Sequence, residues 1–150
     1  TSCNNNNLVD VEKASAEAEN FIETQFDFFT NSSLEQAKMT FADNAILIGT
    51  DAAEYLTGWK EIEPSVKGQL IIKDPVFTSR NLNIFMSDDG KMASYTQELD
   101  FTYSIDGEPG EVKDVRNSGV IKNIEGEWRI IQIHWSIGLE GQAVEYEIIE

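Results

Sequence analysis

From Leu8 to Asn31 the apolar residues Val11, Ala14, Ala18, Phe21, Ile22, Phe26 and Phe29 recur at spacings of three or four, the signature of one helical face. Asn31 and Ser32 stop that helix. Ser33-Leu34-Glu35-Gln36 then has the spacing of a capping box, in which a serine hydroxyl accepts a hydrogen bond from an amide of the first turn. A helical hairpin is therefore expected to open the fold. Phe41-Ala42-Asp43-Asn44 reads as a turn, Ala45 to Ile48 as a short buried strand, and Gly49 to Asp51 as the beginning of a loop. Helical spacing returns in Trp59, Ile62 and Val66, between Gly58 and about Leu70. Pro64, which lacks an N–H, predicts that this helix is short or kinked.

Beyond it the pattern switches to a period of two. Val76 to Ser87, Met92 to Ile105, Val112 to Asn123 and Trp128 to Ile137 read as strands. The turn sequences between them are Ser87-Asp88-Asp89-Gly90, Asp106-Gly107-Glu108-Pro109-Gly110 and Ile124-Glu125-Gly126-Glu127, which implies three successive hairpins. Helices first and hairpins after define an α+β chain whose helices pack on one face of an antiparallel sheet. Alternation places Tyr95, Gln97, Leu99, Phe101 and Tyr103 inside, followed by Val115, Asn117, Gly119 and Ile121, then Ile131, Ile133, Trp135 and Ile137. Arg116, Ser118, Val120 and Lys122 fall outside, as do Trp128, Ile130, Gln132, His134 and Ser136; a β-bulge would reverse either assignment beyond it. Val144 to Glu150 reads as an edge strand or an ordered tail.

Size and composition fit one self-sufficient domain: 150 residues, 41% of them hydrophobic, with 8 Phe, 4 Tyr and 3 Trp to build a core. Charge narrows the partners. With 27 acidic and 11 basic residues the net charge is -16, which repels phosphate backbones and anionic lipid, so nucleic acid is excluded as a partner. No apolar run reaches the roughly 18 residues that span a bilayer. The one cysteine, Cys3, rules out an internal disulfide and a multi-thiolate metal site, and the one histidine, His134, cannot hold a metal alone. No metal or cofactor is expected. Thr1-Ser2-Cys3 resembles the end of a bacterial lipoprotein signal, in which the cysteine is lipidated after cleavage. That resemblance predicts a tether, residues 1–7 with its Asn4–Asn7 run, lipid-anchored at the bacterial cell envelope, and a domain over residues 8–150; an ordinary free cysteine near a frayed terminus is the alternative.

Four strings resemble the nuclear transport factor 2-like superfamily, in particular its SnoaL-like and kinase-association branches. They are Phe41-Ala42-Asp43-Asn44-Ala45, Tyr55-Leu56-Thr57-Gly58-Trp59, Arg116-Asn117-Ser118, and the run from Gly126-Glu127-Trp128 to His134-Trp135-Ser136. The resemblance spans roughly Val11 to Ile137. It implies a cone-shaped curved sheet wrapped around the N-terminal helices, a cavity open at one end, and a homodimer through the sheet's outer face. Isomerases of the superfamily use a pocket carboxylate as general base, and the matching position here falls near Gly49, which cannot move a proton. Asp51 is the nearest substitute and Tyr55 a hydroxyl that could serve beside it, but a solvated loop carboxylate and a packed aromatic are the simpler reading of both, and isomerase chemistry is not supported. The arginines of the anion-binding relatives correspond to Gln97, Gly119 and Trp135, none of them basic.

The expected pocket lining is then Trp59, Tyr95, Gln97, Asn117 and Trp135, with Gly119 leaving space, which suits a neutral, partly apolar ligand. Simple filling of the cone by these side chains is the alternative. His134, with Gln132 and Arg116, is expected on the convex face, packed or at a dimer interface. Three functions follow: a membrane-tethered module for small-molecule binding or assembly, an enzyme using Asp51 or Tyr55, and a structural homodimerisation domain with a filled cone.

Overall fold

The computed structural model describes residues 10–138. Cys3, the asparagine run and the Val144–Glu150 segment lie outside the described residues. Four helical segments and six strands follow in the order α1 (Val11–Thr24), α2 (Asp27–Thr30), α3 (Leu34–Thr40), β1 (Phe41–Ile48), β2 (Tyr55–Thr57), α4 (Trp59–Gln69), β3 (Lys73–Met86), β4 (Met92–Ile105), β5 (Glu108–Ile124) and β6 (Glu127–Ile137).

Asp10 caps α1 by accepting from the Lys13 amide at 3.0 Å, and Ala14, Ala18 and Ile22 form its buried stripe. The single helix expected as far as Asn31 instead breaks after Thr24. The Gln25 side-chain amide donates to the Ile22 carbonyl at 2.8 Å, taking the acceptor that a continuing helix would give to the Phe26 amide. Phe26 leaves helical geometry at φ -103°, ψ 6°, and α2 is one further turn. The capping box is half formed: Ser33 Oγ accepts from the Gln36 amide at 3.1 Å, while Gln36 Oε1 turns to the Asn31 side chain at 2.8 Å.

The Phe41–Asn44 stretch is strand rather than turn. Phe41, Ala42, Ala45 and Leu47 are buried, and exposed Asp43 and Asn44 sit in a register shift between Phe41 and Ile46, which explains their turn-like composition. β2, too short to show a period, is an additional strand. Pro64 lies inside α4, exposed on its outer side, while Ile62 and Val66 face the core.

The sheet order is β2-β1-β6-β5-β4-β3, antiparallel except for β1 against β6, which run parallel. The chain leaves β1 through β2 and α4 and returns along three hairpins, so β6 arrives beside β1 in the same direction. Bulges bend this sheet around its helices. Asp74, Asn81 and Asp114 have φ of 48°, 53° and 55° and each falls at a register shift, because short polar side chains tolerate the left-handed conformation that a bulge demands. Arg80 ties two bends together, donating to Asp100 and to Asp114 at 2.5 Å each.

The inward sets expected for β4 and β5 are correct at Tyr95, Gln97, Leu99, Val115, Asn117, Gly119 and Ile121, all buried. β6 needs a correction. Val120 pairs with Gln132 but Ile121 with Ile130, so Ile131 is an extra residue that reverses the faces before it. Trp128 and Ile130 are therefore buried, not outside, whereas Ile133 is inside as expected.

Candidate ligand cavity

The break in the first helix determines the cavity. Phe26, Phe28 and Phe29 flank the Gln25 turn, and their rings reach toward β1, β3 and β6. Phe26 lies 5.0 Å from the Phe77 ring and 4.9 Å from Trp135, centroid to centroid; Phe28 lies 6.2 Å from Phe41, and Phe77 stacks on Phe101 at 5.5 Å. These rings, with Leu47, Val66, Val115 and Ile133, surround a cavity of about 290 Å³. Its wall is mainly apolar: Phe26, Phe28, Phe41, Leu47, Val66, Val115 and Ile133 are buried, and Phe29, Phe77, Phe101 and Trp135 are half-buried. The remaining lining includes Thr50 and Ile137, which are exposed, and Glu54, Gln69, Ile72 and Val112, which are half-buried; its polar side chains, on Thr50, Glu54 and Gln69, are thus all on the partly open side.

Glu54 is fixed by the loop between β1 and β2. Its carbonyl accepts from the Gly49 amide at 2.8 Å, its amide donates to the Asp51 carbonyl at 3.0 Å, and Oε2 accepts from the Asp51 amide at 3.2 Å. A Cβ on residue 49 would overlap the Glu54 side chain, so glycine at that position is what admits a carboxylate to the cavity's edge. Among the described residues no Lys, Arg or His lines the cavity.

Of the residues expected to line a pocket, Trp135 is on this wall. Tyr95, Gln97 and Asn117 lie elsewhere, in two separate sets of hydrogen bonds. The Tyr95 hydroxyl donates to Gln25 Oε1 at 2.7 Å, Gln97 Nε2 to Asn117 Oδ1 at 2.9 Å, Ser79 Oγ to Gln97 Oε1 at 2.7 Å, and Asn117 Nδ2 to the His134 carbonyl at 3.3 Å. The partners demanded by these buried amides are thus protein groups. Burial pushes the Tyr95 hydroxyl above its ordinary pKa, with the Gln25 hydrogen bond opposing. The space left by Gly119 is taken by the Tyr95 ring. Trp59 packs on Phe41 at 6.0 Å beneath the Lys38 ammonium, 5.3 Å from its ring centroid, away from the cavity wall.

Asp51 is exposed, and its carboxylate accepts from the Ala53 amide at 2.8 Å within its own loop; it does not line the cavity. Tyr55 is 63% exposed on β2. His134 and Arg116 are exposed on the outer face with half-buried Gln132 between β5 and β1. The residues that sequence reasoning missed are Glu54 and the phenylalanines. Three Phe within four positions, 26, 28 and 29, cannot share one helical face, and that spacing was the available signal of a break.

A wider groove lies between α1, α3 and the β5–β6 turn, bordered by Trp128, whose indole N–H is buried without a partner among the described residues. Among those residues no group of three or more His, Cys, Asp or Glu could hold a metal, and no helix is long and apolar enough to cross a membrane.

The SnoaL-like domain family matches residues 18–140, which include every strand and the whole cavity wall. The chain belongs to that SnoaL-like family. Its architecture is shared by solved structures of the nuclear transport factor 2-like superfamily. A superfamily protein from Salmonella enterica serovar Typhimurium is 17% identical, with a TM-score of 0.74 over 90% of this chain and 99% of that one. A protein provisionally assigned as a calcium/calmodulin-dependent protein kinase II association domain, from Xanthomonas campestris, is 21% identical, with a TM-score of 0.74 over 83% and 87%. One provisionally assigned as a scytalone dehydratase, from Novosphingobium aromaticivorans, is 12% identical, with a TM-score of 0.72 over 84% and 85%. Likeness at these identities establishes the SnoaL-like fold, which hosts both ligand-binding and enzymatic domains. None of the curated proteins compared with this chain matches it in sequence.

Proposed function

We propose that this SnoaL-like domain binds a small, largely apolar molecule in the cavity at the end of its cone. One observation carries the reading: the side chains of the described residues leave about 290 Å³ unfilled behind an aromatic wall, close to the lower end of the roughly 300–1,000 Å³ of ligand pockets. Rings supply flat contact area at little conformational cost, and the polar groups at the open end orient whatever enters.

Saturation-transfer NMR with 4-phenylbutanol tests this. The native chain should bind the alcohol saturably, and Val112→Trp, which builds an indole into the wall, should abolish the transfer. Absence of saturable binding, or binding untouched by Val112→Trp, would overturn the proposal. Catalysis is the second reading, and Glu54 is the observation in its favour, since a carboxylate beside an apolar cavity is placed to take a proton. The hydroxyl and amides that could complete such a site are already engaged, Tyr95 with Gln25 and Gln97 with Asn117. Solvent deuterium entering a bound ketone at its α-carbon with the native chain, but not with Glu54→Gln, would favour it.

Two further features belong to the proposal. A lipid on Cys3 would hold the domain at the bacterial envelope, and mass spectrometry of the membrane fraction checks it. Dimerisation through the outer face draws support from half-buried Ile46, Ile48 and Val120 beside His134 and exposed Tyr55. Light scattering at micromolar concentration reads that state directly.

A further inference from the structure

We infer that the cavity selects a positively charged ligand, an amphipathic amine whose apolar body enters the aromatic wall and whose ammonium rests against Glu54. This rests on the proposed function and refines the neutral ligand expected from the sequence.

The charge distribution around the cavity is one-sided. Glu54 is half-buried at the open end, its Oε2 accepts only the Asp51 amide at 3.2 Å, and no salt bridge engages it among the described residues. A carboxylate beside apolar surface without a cation is costly, and a ligand ammonium would offset that cost. An ammonium carries three donors and no acceptor, and the oxygens of Glu54, Thr50 and Gln69 at this end match it. With no basic side chain on the wall among the described residues and a whole-chain charge of -16, an anionic ligand would meet repulsion at every stage of approach.

The placement is also built rather than incidental. Backbone hydrogen bonds hold both ends of the Gly49–Glu54 loop together, and the missing Cβ at Gly49 leaves the room that the carboxylate occupies. A solvated loop carboxylate would need neither. The buried side of the cavity offers rings and branched aliphatic groups alone, so a ligand satisfying both ends has its apolar and charged parts separated along its length.

Matched probes separate this inference from the pocket reading on which it rests: 4-phenylbutylamine, 4-phenylbutanol and 4-phenylbutyrate, titrated into the native chain and into Glu54→Gln by calorimetry at low and high salt. The amine should bind about tenfold tighter than the alcohol, the carboxylate more weakly than either, and the amine's advantage should shrink as salt rises. In Glu54→Gln the amine should lose its advantage over the alcohol, and an unchanged circular dichroism spectrum and melting temperature show that the variant is folded. Equal affinity of amine and alcohol for the native chain, or an advantage that survives Glu54→Gln, would overturn cation selection and leave the pocket standing. Binding of none of the three would overturn both.

Discussion

The Tyr95–Gln25 hydrogen bond joins β4 to the broken end of α1, and removing one oxygen atom tests how much of the fold depends on it. Tyr95 is 1% exposed and Gln25 2%. Their contact is 2.7 Å, and the same Gln25 amide group caps the Ile22 carbonyl through its nitrogen. Tyr95→Phe preserves the ring that fills the space over Gly119 but strands Gln25 Oε1 without a partner. An unsatisfied buried acceptor costs about 1–3 kcal/mol, which lowers Tm by roughly 3–9 °C in a chain of this size.

Urea unfolding read by tryptophan fluorescence measures the change, and a cycle with Gln25→Met isolates the pair from the separate loss of the Ile22 cap. Because burial raises the hydroxyl's folded pKa above its unfolded value, its contribution is fully present below about pH 10 and is lost as pH rises through the folded value. Tyr95→Phe should remove that alkaline decline. Binding of 4-phenylbutanol should be unaffected, because Tyr95 does not line the cavity. A stability change below about 0.5 kcal/mol, or a cycle with no coupling, would refute the account of this network.

Gly119→Ala places a Cβ 2.8 Å from the Gln132 carbonyl oxygen and from the Tyr95 ring; with backbone on one side, the strain should cost about 1–3 kcal/mol by urea unfolding. Asp100 is held below the usual carboxylate range by the Asp114 amide and then by Arg80, against some desolvation. Its contribution is present above about pH 4 and is lost as pH falls through the lower folded value, so Asp100→Asn should flatten the acid limb of a stability profile followed by circular dichroism.

The strands were legible because one face of each is buried, which imprints a period of two on β4 from Met92 to Leu99 and on β5 from Val115 to Ile121. The errors fell where chain geometry departs from that period. A single extra residue at Ile131 reversed the faces of Trp128 and Ile130, and no residue type announces a bulge in a run of isoleucines. Face parity found the buried polar residues Gln97 and Asn117 but could not say whether they meet a ligand or each other; the distance between adjacent strands decided that. Glu54 was hidden by composition, one acidic residue among 27, and became visible only when the loop folded its carboxylate over Gly49.

That loop divides the domain into two parts that can change independently. The aromatic wall is assembled from helices and strands that also make the core, so any alteration there is felt as stability. The ionic character of the entrance is carried by six residues, Gly49 to Glu54, closed on themselves by their own backbone hydrogen bonds. Exchanging this segment for one ending in lysine or glutamine would reset which molecules the cone admits while its shell stays unaltered, a practical starting point for building sensors of chosen polarity on one scaffold.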